Sequence, residues 1–158
     1  MVFVTTGTQA PFDRFVKIID EVAEHINEEI VAQAFKDKYE PKNVKLVDFL
    51  PPDEFNRLFG EARLIVSHAG MGTIVSAMQK GKPIVVFPRI AALGEHRNEH
   101  QLATAMKLNE LGYVHVAYDK RQLSELLLYE NLQPLKQIGE EASPNLINSI
   151  SEFIDNDF

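Results

Sequence analysis

The chain has 158 residues, enough for one packed core and too few for two full catalytic domains. Its 16 Lys and Arg against 23 Asp and Glu leave a formal net charge of -7, without the basic field that sequence-independent nucleic-acid binding requires, so DNA and RNA are excluded as first partners. The absence of cysteine removes disulfides, thiolate metal sites and cysteine nucleophiles, and 45% hydrophobic with 25% charged residues is ordinary for a soluble globular chain.

Val2 to Thr5 reads as a strand, followed at Gly7 by a turn and then by Phe12, Phe15, Val16, Ile19, Val22 and Ile26 at helical spacing. The start carries no basic flank and no apolar stretch of signal-peptide length, which predicts a cytoplasmic protein. Glu29 to Phe35 has a strand-like centre in Ile30 and Val31. Val44 to Leu50 is another candidate strand, and Pro51-Pro52 opens a short helix through Phe55, Leu58 and Phe59. Leu64-Ile65-Val66-Ser67 runs into His68-Ala69-Gly70-Met71-Gly72-Thr73, after which Ile74, Ala77 and Met78 mark a helix ending at Gly81.

Ile84 to Phe87 is an unbroken apolar run, which suits a parallel strand covered on both faces and is far below the roughly 20 residues needed to cross a bilayer. A long segment from Arg89 to Glu95 leads into a helix with Leu102, Ala105 and Met106 that stops near Gly112. Tyr113 to Tyr118 is the last predicted strand. Asp119 with Gln122 suggests a capping box for a helix through Leu123, Leu126 and Leu127, and Ser143-Pro144 starts a final helix striped by Ile147, Ile150 and Ile154. There is no internal repeat or linker. The expectation is a single α/β domain over residues 1–158, with about six mainly parallel strands and helices on both faces. In such sheets ligands sit beyond the carboxyl ends of the strands, so the loops that follow strands are the places to look.

The loop from Ser67 to Thr73 is the most informative. Gly70 and Gly72 between a buried strand and a helix permit close backbone approach, and free amides at the helix start can hold a diphosphate, with Thr73 adding a hydroxyl. A tight strand-to-helix turn also needs small residues, so both readings stand at this point. The third glycine of the dinucleotide fingerprint and the Lys of a P-loop are missing, which disfavours NAD and ATP. Thr5-Thr6-Gly7-Thr8-Gln9 is a second strand-end turn rich in hydroxyls, equally readable as turn and cap chemistry. The segment from Gly94 to Gln101 is dense in polar groups. Its His96-x-x-Glu99-His100 part matches an inverted zinc-peptidase pattern, rejected here because no third ligand stands at motif spacing. His25 and His115 read as surface or packed side chains.

Ser67-His68-Ala69-Gly70-Met71-Gly72-Thr73, followed by Gly81-Lys82-Pro83 and His100-Gln101, resembles the C-terminal domain of glycosyltransferase family 28. The likeness runs from Val2 through about Asp119. It is strongest to stand-alone members: the cytosolic subunit of the lipid-linked N-acetylglucosaminyltransferase, and bacterial capsular and exopolysaccharide glucuronosyl- or galactosyltransferase subunits. Gly7-Thr8-Gln9, Phe87-Pro88-Arg89 and Gly94-Glu95-His96-Arg97-Asn98 are similar to strings in the latter.

The resemblance implies a Rossmann-like domain, the C-terminal half of a GT-B architecture, that binds the nucleotide-sugar donor. A separate membrane-anchored polypeptide would bind a lipid-linked sugar acceptor at the cytoplasmic membrane face. It further implies that backbone at Phe49 and Leu50 meets uracil, that Gly70, Met71, Gly72 and Thr73 meet the diphosphate, and that His100 and Gln101 meet sugar hydroxyls. Gly7, Thr8 and His68 would line the same cleft. Many relatives carry Glu where this chain has Ser76, so the ribose contact is altered.

The reaction implied is inverting transfer from a UDP-sugar, with helix-terminal amides stabilising the leaving diphosphate and no metal or other cofactor required. Glu95 and His96 are the local candidates for general base. Arg89, after a predicted strand, suggests a fork for the carboxylate of a UDP-glucuronate donor, or else a surface or phosphate-contacting Arg. Two other classes remain open: a non-catalytic UDP-sugar-binding regulatory module, and a GT-B-related nucleotide-sugar epimerase or hydrolase fragment.

Overall fold

The computed structural model describes residues 1–138 and residue 145, so the predicted helix carrying Ile147, Ile150 and Ile154 lies outside the described residues. Among the described residues, six strands, β1 (Val2–Thr5), β2 (Ile30–Gln33), β3 (Lys45–Val47), β4 (Leu64–Ser67), β5 (Ile84–Val86) and β6 (His115–Val116), form one sheet in the order β3-β2-β1-β4-β5-β6. Every pairing is parallel, where the sequence predicted a mainly parallel sheet.

Among the described residues, five helices cover the sheet: α1 (Asp13–Ala23), α2 (Pro52–Glu61), α3 (Met71–Gln79), α4 (His100–Glu110) and α5 (Lys120–Leu128). Because side chains alternate along a strand, Val2 and Val4 point to one face and Phe3 to the other. Val2, Val4 and Val66 share a core with Phe15, Ile19 and Val22 of α1 and Leu123 and Leu127 of α5. Phe3, Ile65 and Val86 share the opposite core with Leu58 and Phe59 of α2, Ile74 and Ala77 of α3, and Ala105 of α4. Burial on both faces explains why these strands read as unalternated apolar runs.

The helix ends follow local chemistry. Pro52 starts α2 with Asp53 and Glu54 in its first turn, where carboxylates complement the dipole. Asp119 caps α5 by accepting from the Gln122 amide at 2.8 Å, and Gln122 reaches back to the Tyr118 amide at 2.8 Å. Four predicted elements are shorter in the structure: β2 keeps Ile30–Gln33 of the stretch read over Glu29 to Phe35, and β3 keeps Lys45–Val47 of the stretch read over Val44 to Leu50. α1 ends at Ala23, with Ile26 packing against the core from the following turn. The strand predicted over Tyr113 to Tyr118 pairs only at His115 and Val116, because it follows the positive-φ turn at Gly112 and has a partner on one side alone.

Strand order positions the site. From β1 the chain builds outward through β2 and β3, then returns to lay β4 on the other side of β1. The β1–α1 and β4–α3 loops therefore diverge above adjacent strands and leave a crevice between them.

Candidate functional site

The carboxyl ends of the three central strands are polar and buried. Thr5 stands in register with Gln33 on one side and Ser67 on the other. The Thr5 hydroxyl donates to Gln33 Oε1 at 3.4 Å and accepts from the Gly7 amide at 3.3 Å, while Ser67 donates to the His68 carbonyl at 2.7 Å. Sequence reading passed over Gln33; the signal available was a buried amide ending a strand whose other positions are apolar.

His68 packs between the two loops. A Cβ built at Gly7 would stand 2.7 Å from His68 Cε1, and one at Gly70 only 2.4 Å from Nε2. Gly7 also has φ +75, the left-handed region that favours glycine. The imidazole alone thus requires glycine at position 70, whereas a Cβ at Gly72 would meet nothing within 4 Å. Burial and the neighbouring Arg89 cation push the His68 pKa down to about 4, so the ring is neutral at pH 7.

α3 begins at Met71 with Gly70 as its N-cap, and no side chain caps it. The amides of its first turn have no acceptor within the helix, and Met71 and Gly72 are exposed. A backbone of this kind, carrying the positive end of the helix dipole, can hold an anion. Ser76, one turn on, gives its hydroxyl proton to the Gly72 carbonyl at 2.8 Å.

The Arg89 and Glu95 expectations need correction. Arg89 is 3% exposed, and its two terminal nitrogens donate to the carbonyls of Pro11 at 2.6 Å, Ala10 at 2.7 Å, Thr6 at 3.1 Å and Glu95 at 3.4 Å. Its guanidinium lies 4.4 Å from the Phe12 ring centre. The fork is saturated by backbone, so Arg89 is neither a surface side chain nor a bidentate carboxylate reader. Glu95 is engaged by Arg14 through two bonds of 2.6 and 2.8 Å and accepts from the Ile90 amide at 2.9 Å. A carboxylate so occupied is a brace between α1 and the β5–α4 loop.

A cavity of about 60 Å³ brings together residues 6–10, His68, Arg89, Glu95, His96 and Gln101. Gly70, Met71, Gly72, Thr73, His100, Phe49 and Leu50 stand outside it, on the β3–α2 loop and at the starts of α3 and α4 at the same end of the sheet. Gln101 accepts from the Arg89 amide through Oε1 at 3.2 Å, which leaves its amide nitrogen free to donate. His96 precedes α4 and bonds Asn98, while His100 is the first residue of that helix, so the two histidines do not share a helical face as the rejected zinc pattern requires. Phe49, after β3, is 65% exposed. Larger hollows of about 450 and 530 Å³ lie around Arg63 and Glu130, and one of about 400 Å³ lies by the β2–β3 connection and reaches Asp48, next to Phe49.

An open, wholly parallel sheet in this order, with its polar loops gathered at the switch point, defines a Rossmann-like α/β domain of the GT-B C-terminal type. The chain belongs to glycosyltransferase family 28: residues 1–156 match the model of that family's C-terminal domain. Among solved structures, ALG13, determined by NMR, is 21% identical, with 85% of this chain and 88% of that one covered and a TM-score of 0.56. MurG from Acinetobacter baumannii is 18% identical with a TM-score of 0.63; 99% of this chain covers 49% of it, about half its length. The glycosyltransferase SnogD from Streptomyces nogalater is 19% identical with a TM-score of 0.51, with 96% of this chain covering 42% of it. These are likenesses of fold. No curated protein sequence matches significantly.

Proposed function

We propose that the chain is the donor-binding half of a two-component inverting glycosyltransferase, which moves a sugar from a UDP-sugar to a lipid-linked acceptor in exopolysaccharide or capsule synthesis. The observation that carries this reading is the uncapped start of α3, exposed at the switch point beside the β1–α1 loop. Family membership supports glycosyl transfer as the chemistry.

In this reading the first-turn amides of α3 bind the diphosphate and stabilise its growing charge as the glycosidic bond breaks. They supply fixed positive potential, so the reading includes no metal or other cofactor. Gly7 and Thr8 close the crevice from the other side, His100 and Gln101 meet the sugar hydroxyls, and the exposed backbone around Phe49 and Leu50 meets the base. With Glu95 braced by Arg14, His96 is the local group left to accept a proton from the attacking hydroxyl, unless the partner supplies one.

A separate partner is supported by size. The cavity of about 60 Å³ is far smaller than the roughly 300 Å³ or more of an ordinary ligand pocket, and the exposed start of α3 and Phe49 lie outside it, so in this reading a partner closes the cleft over them. No helix among the described residues is long and apolar enough to cross a membrane, and in this reading a membrane-anchored acceptor-binding subunit recruits the domain to the cytoplasmic face.

Calorimetric titration of the purified chain with UDP tests the reading. Saturable binding is expected, with sugar transfer only when the partner is added; no saturable binding would remove its basis. Donor turnover by the isolated chain would instead indicate an epimerase or hydrolase. Binding that stays inactive with every acceptor subunit would indicate a regulatory module.

A further inference from the structure

We propose that Asp20 is a positioning residue for recognition of the nucleotide base: it pins the β2–β3 connection to α1 and thereby fixes where β3 delivers the backbone of Phe49 and Leu50. The inference rests on the donor-binding reading above, and gives a part in it to a buried carboxylate which that reading does not otherwise use.

Asp20 of α1 is 3% exposed. A buried carboxylate is costly unless it is hydrogen-bonded, and this one is held by neutral donors alone. Its Oδ1 accepts from the amides of Lys42 at 2.9 Å and Asn43 at 2.6 Å, and its Oδ2 accepts from the Tyr39 hydroxyl at 2.7 Å. The Asn43 side chain donates to the Asp20 carbonyl at 3.1 Å. Burial disfavours the charge, but the Tyr39 hydroxyl and the amides of Asn43, Lys42 and Val44 outweigh it and hold the carboxyl below its ordinary range. About two turns earlier on α1, Asp13 accepts from the Lys38 amide at 3.1 Å. One helix therefore fastens the connection at successive points.

What is fastened has little else to hold it. β2 and β3 are parallel neighbours, and a parallel crossover usually carries a helix that packs on the sheet. Residues 34–44 contain none, so the bonds to Asp13 and Asp20 stand where helix packing would. β3 is a marginal strand of three residues, paired to β2 on one side alone. Val44 and Leu46 pack with the core of α1 and Val47 with the opposite core, so a slip of one residue would exchange the two faces. Asp20 grips the two residues immediately before Val44 and so opposes that slip. Phe49 and Leu50 follow just beyond the strand, and a displaced β3 would carry their backbone with it.

The test compares UDP with ADP by calorimetry on the full chain, since the two share ribose and diphosphate and differ in the base. The wild type is expected to prefer UDP by roughly tenfold or more. Asp20→Ala should weaken UDP binding roughly tenfold and leave ADP binding unchanged, which removes the preference. Asp20→Asn can keep its oxygen on the two amides and turn its nitrogen to Tyr39, and should retain most of it. Tyr39→Phe deletes a single bond and should lose roughly threefold, so the test stands even where Asp20→Ala does not fold. Asp119→Ala, which removes the α5 cap, is the control: its thermal midpoint should fall while its preference for UDP stays. In the unliganded chain, Asp20→Ala should move the amide resonances of Asp48, Phe49 and Leu50 and leave those of residues 70–73 in place.

An unchanged preference in Asp20→Ala and Tyr39→Phe overturns the role of Asp20 and leaves the donor reading intact. Equal loss of both nucleotides also overturns it, because that is the mark of general damage to the fold. A wild type that binds neither nucleotide overturns the donor reading itself, and one that binds both equally overturns the base contact; in either case the role of Asp20 falls with it.

Discussion

The imidazole of His68 lies against both Gly7 and Gly70, so a methyl group added at either position meets the ring. Gly7→Ala combines that overlap with a left-handed φ and should cost about 2 to 4 kcal/mol; Gly70→Ala, with overlap alone, should cost about 1 to 3 kcal/mol. Gly72→Ala should leave stability within about 0.5 kcal/mol yet weaken UDP binding roughly tenfold, because its Cβ would enter the open space over the α3 amides. Urea unfolding and calorimetry on the three variants separate packing from ligand approach. His68 also fixes a pH dependence. With its pKa depressed from 6.5 to about 4, the unfolded chain takes up a proton that the folded chain refuses. Stability is full above pH 6.5 and falls as the pH drops toward 4, by on the order of 3 kcal/mol. Urea midpoints at pH 7.5, 6 and 5 check this above the range where carboxylates contribute; a constant midpoint would show that the ring is not held neutral. Sequence reading found these glycines and left Gly70 between a tight turn and ligand approach, because nothing in residue spacing shows that a neighbouring ring turns back against it.

Helices and strands were largely readable from period and punctuation. The apolar runs of β4 and β5, the glycines ending α3 and α4, and the Asp119 cap all act within a few residues of themselves. Braces between elements were not readable in that way. Glu95 finds Arg14 across 81 residues, and Arg89 finds the Ala10 carbonyl across 79. Seen in sequence, both look like free polar groups in an active-site loop. In the fold Glu95 fastens the β5–α4 loop to α1 and Arg89 fastens it to the β1–α1 loop, with the Arg14 guanidinium 4.5 Å from the Phe87 ring centre and that of Arg89 4.4 Å from the Phe12 ring centre. Arg89→Lys should therefore destabilise the domain by on the order of 3 kcal/mol, since one ammonium cannot serve the carbonyls that two guanidinium nitrogens now reach. Wild-type stability in a urea melt of that variant would show that the fork does not hold the loops.

At the scale of the whole molecule, strand order mattered more than any one motif. The return of the chain from β3 to β4 puts two loops distant in sequence above neighbouring strands, and the loops singled out from sequence all lie at that end of the sheet. What sequence did not show is how shallow the resulting hollow is, a property of packing between loops rather than of any residue type. The margins of the sheet carry a further consequence. β3 offers three residues beginning with the exposed Lys45, and β6 offers two. Margins so brief, one of them opening on a charge, give a second copy little backbone to zip onto. Recognition of another polypeptide is thereby steered away from strand addition and toward side chains on the loops and helices.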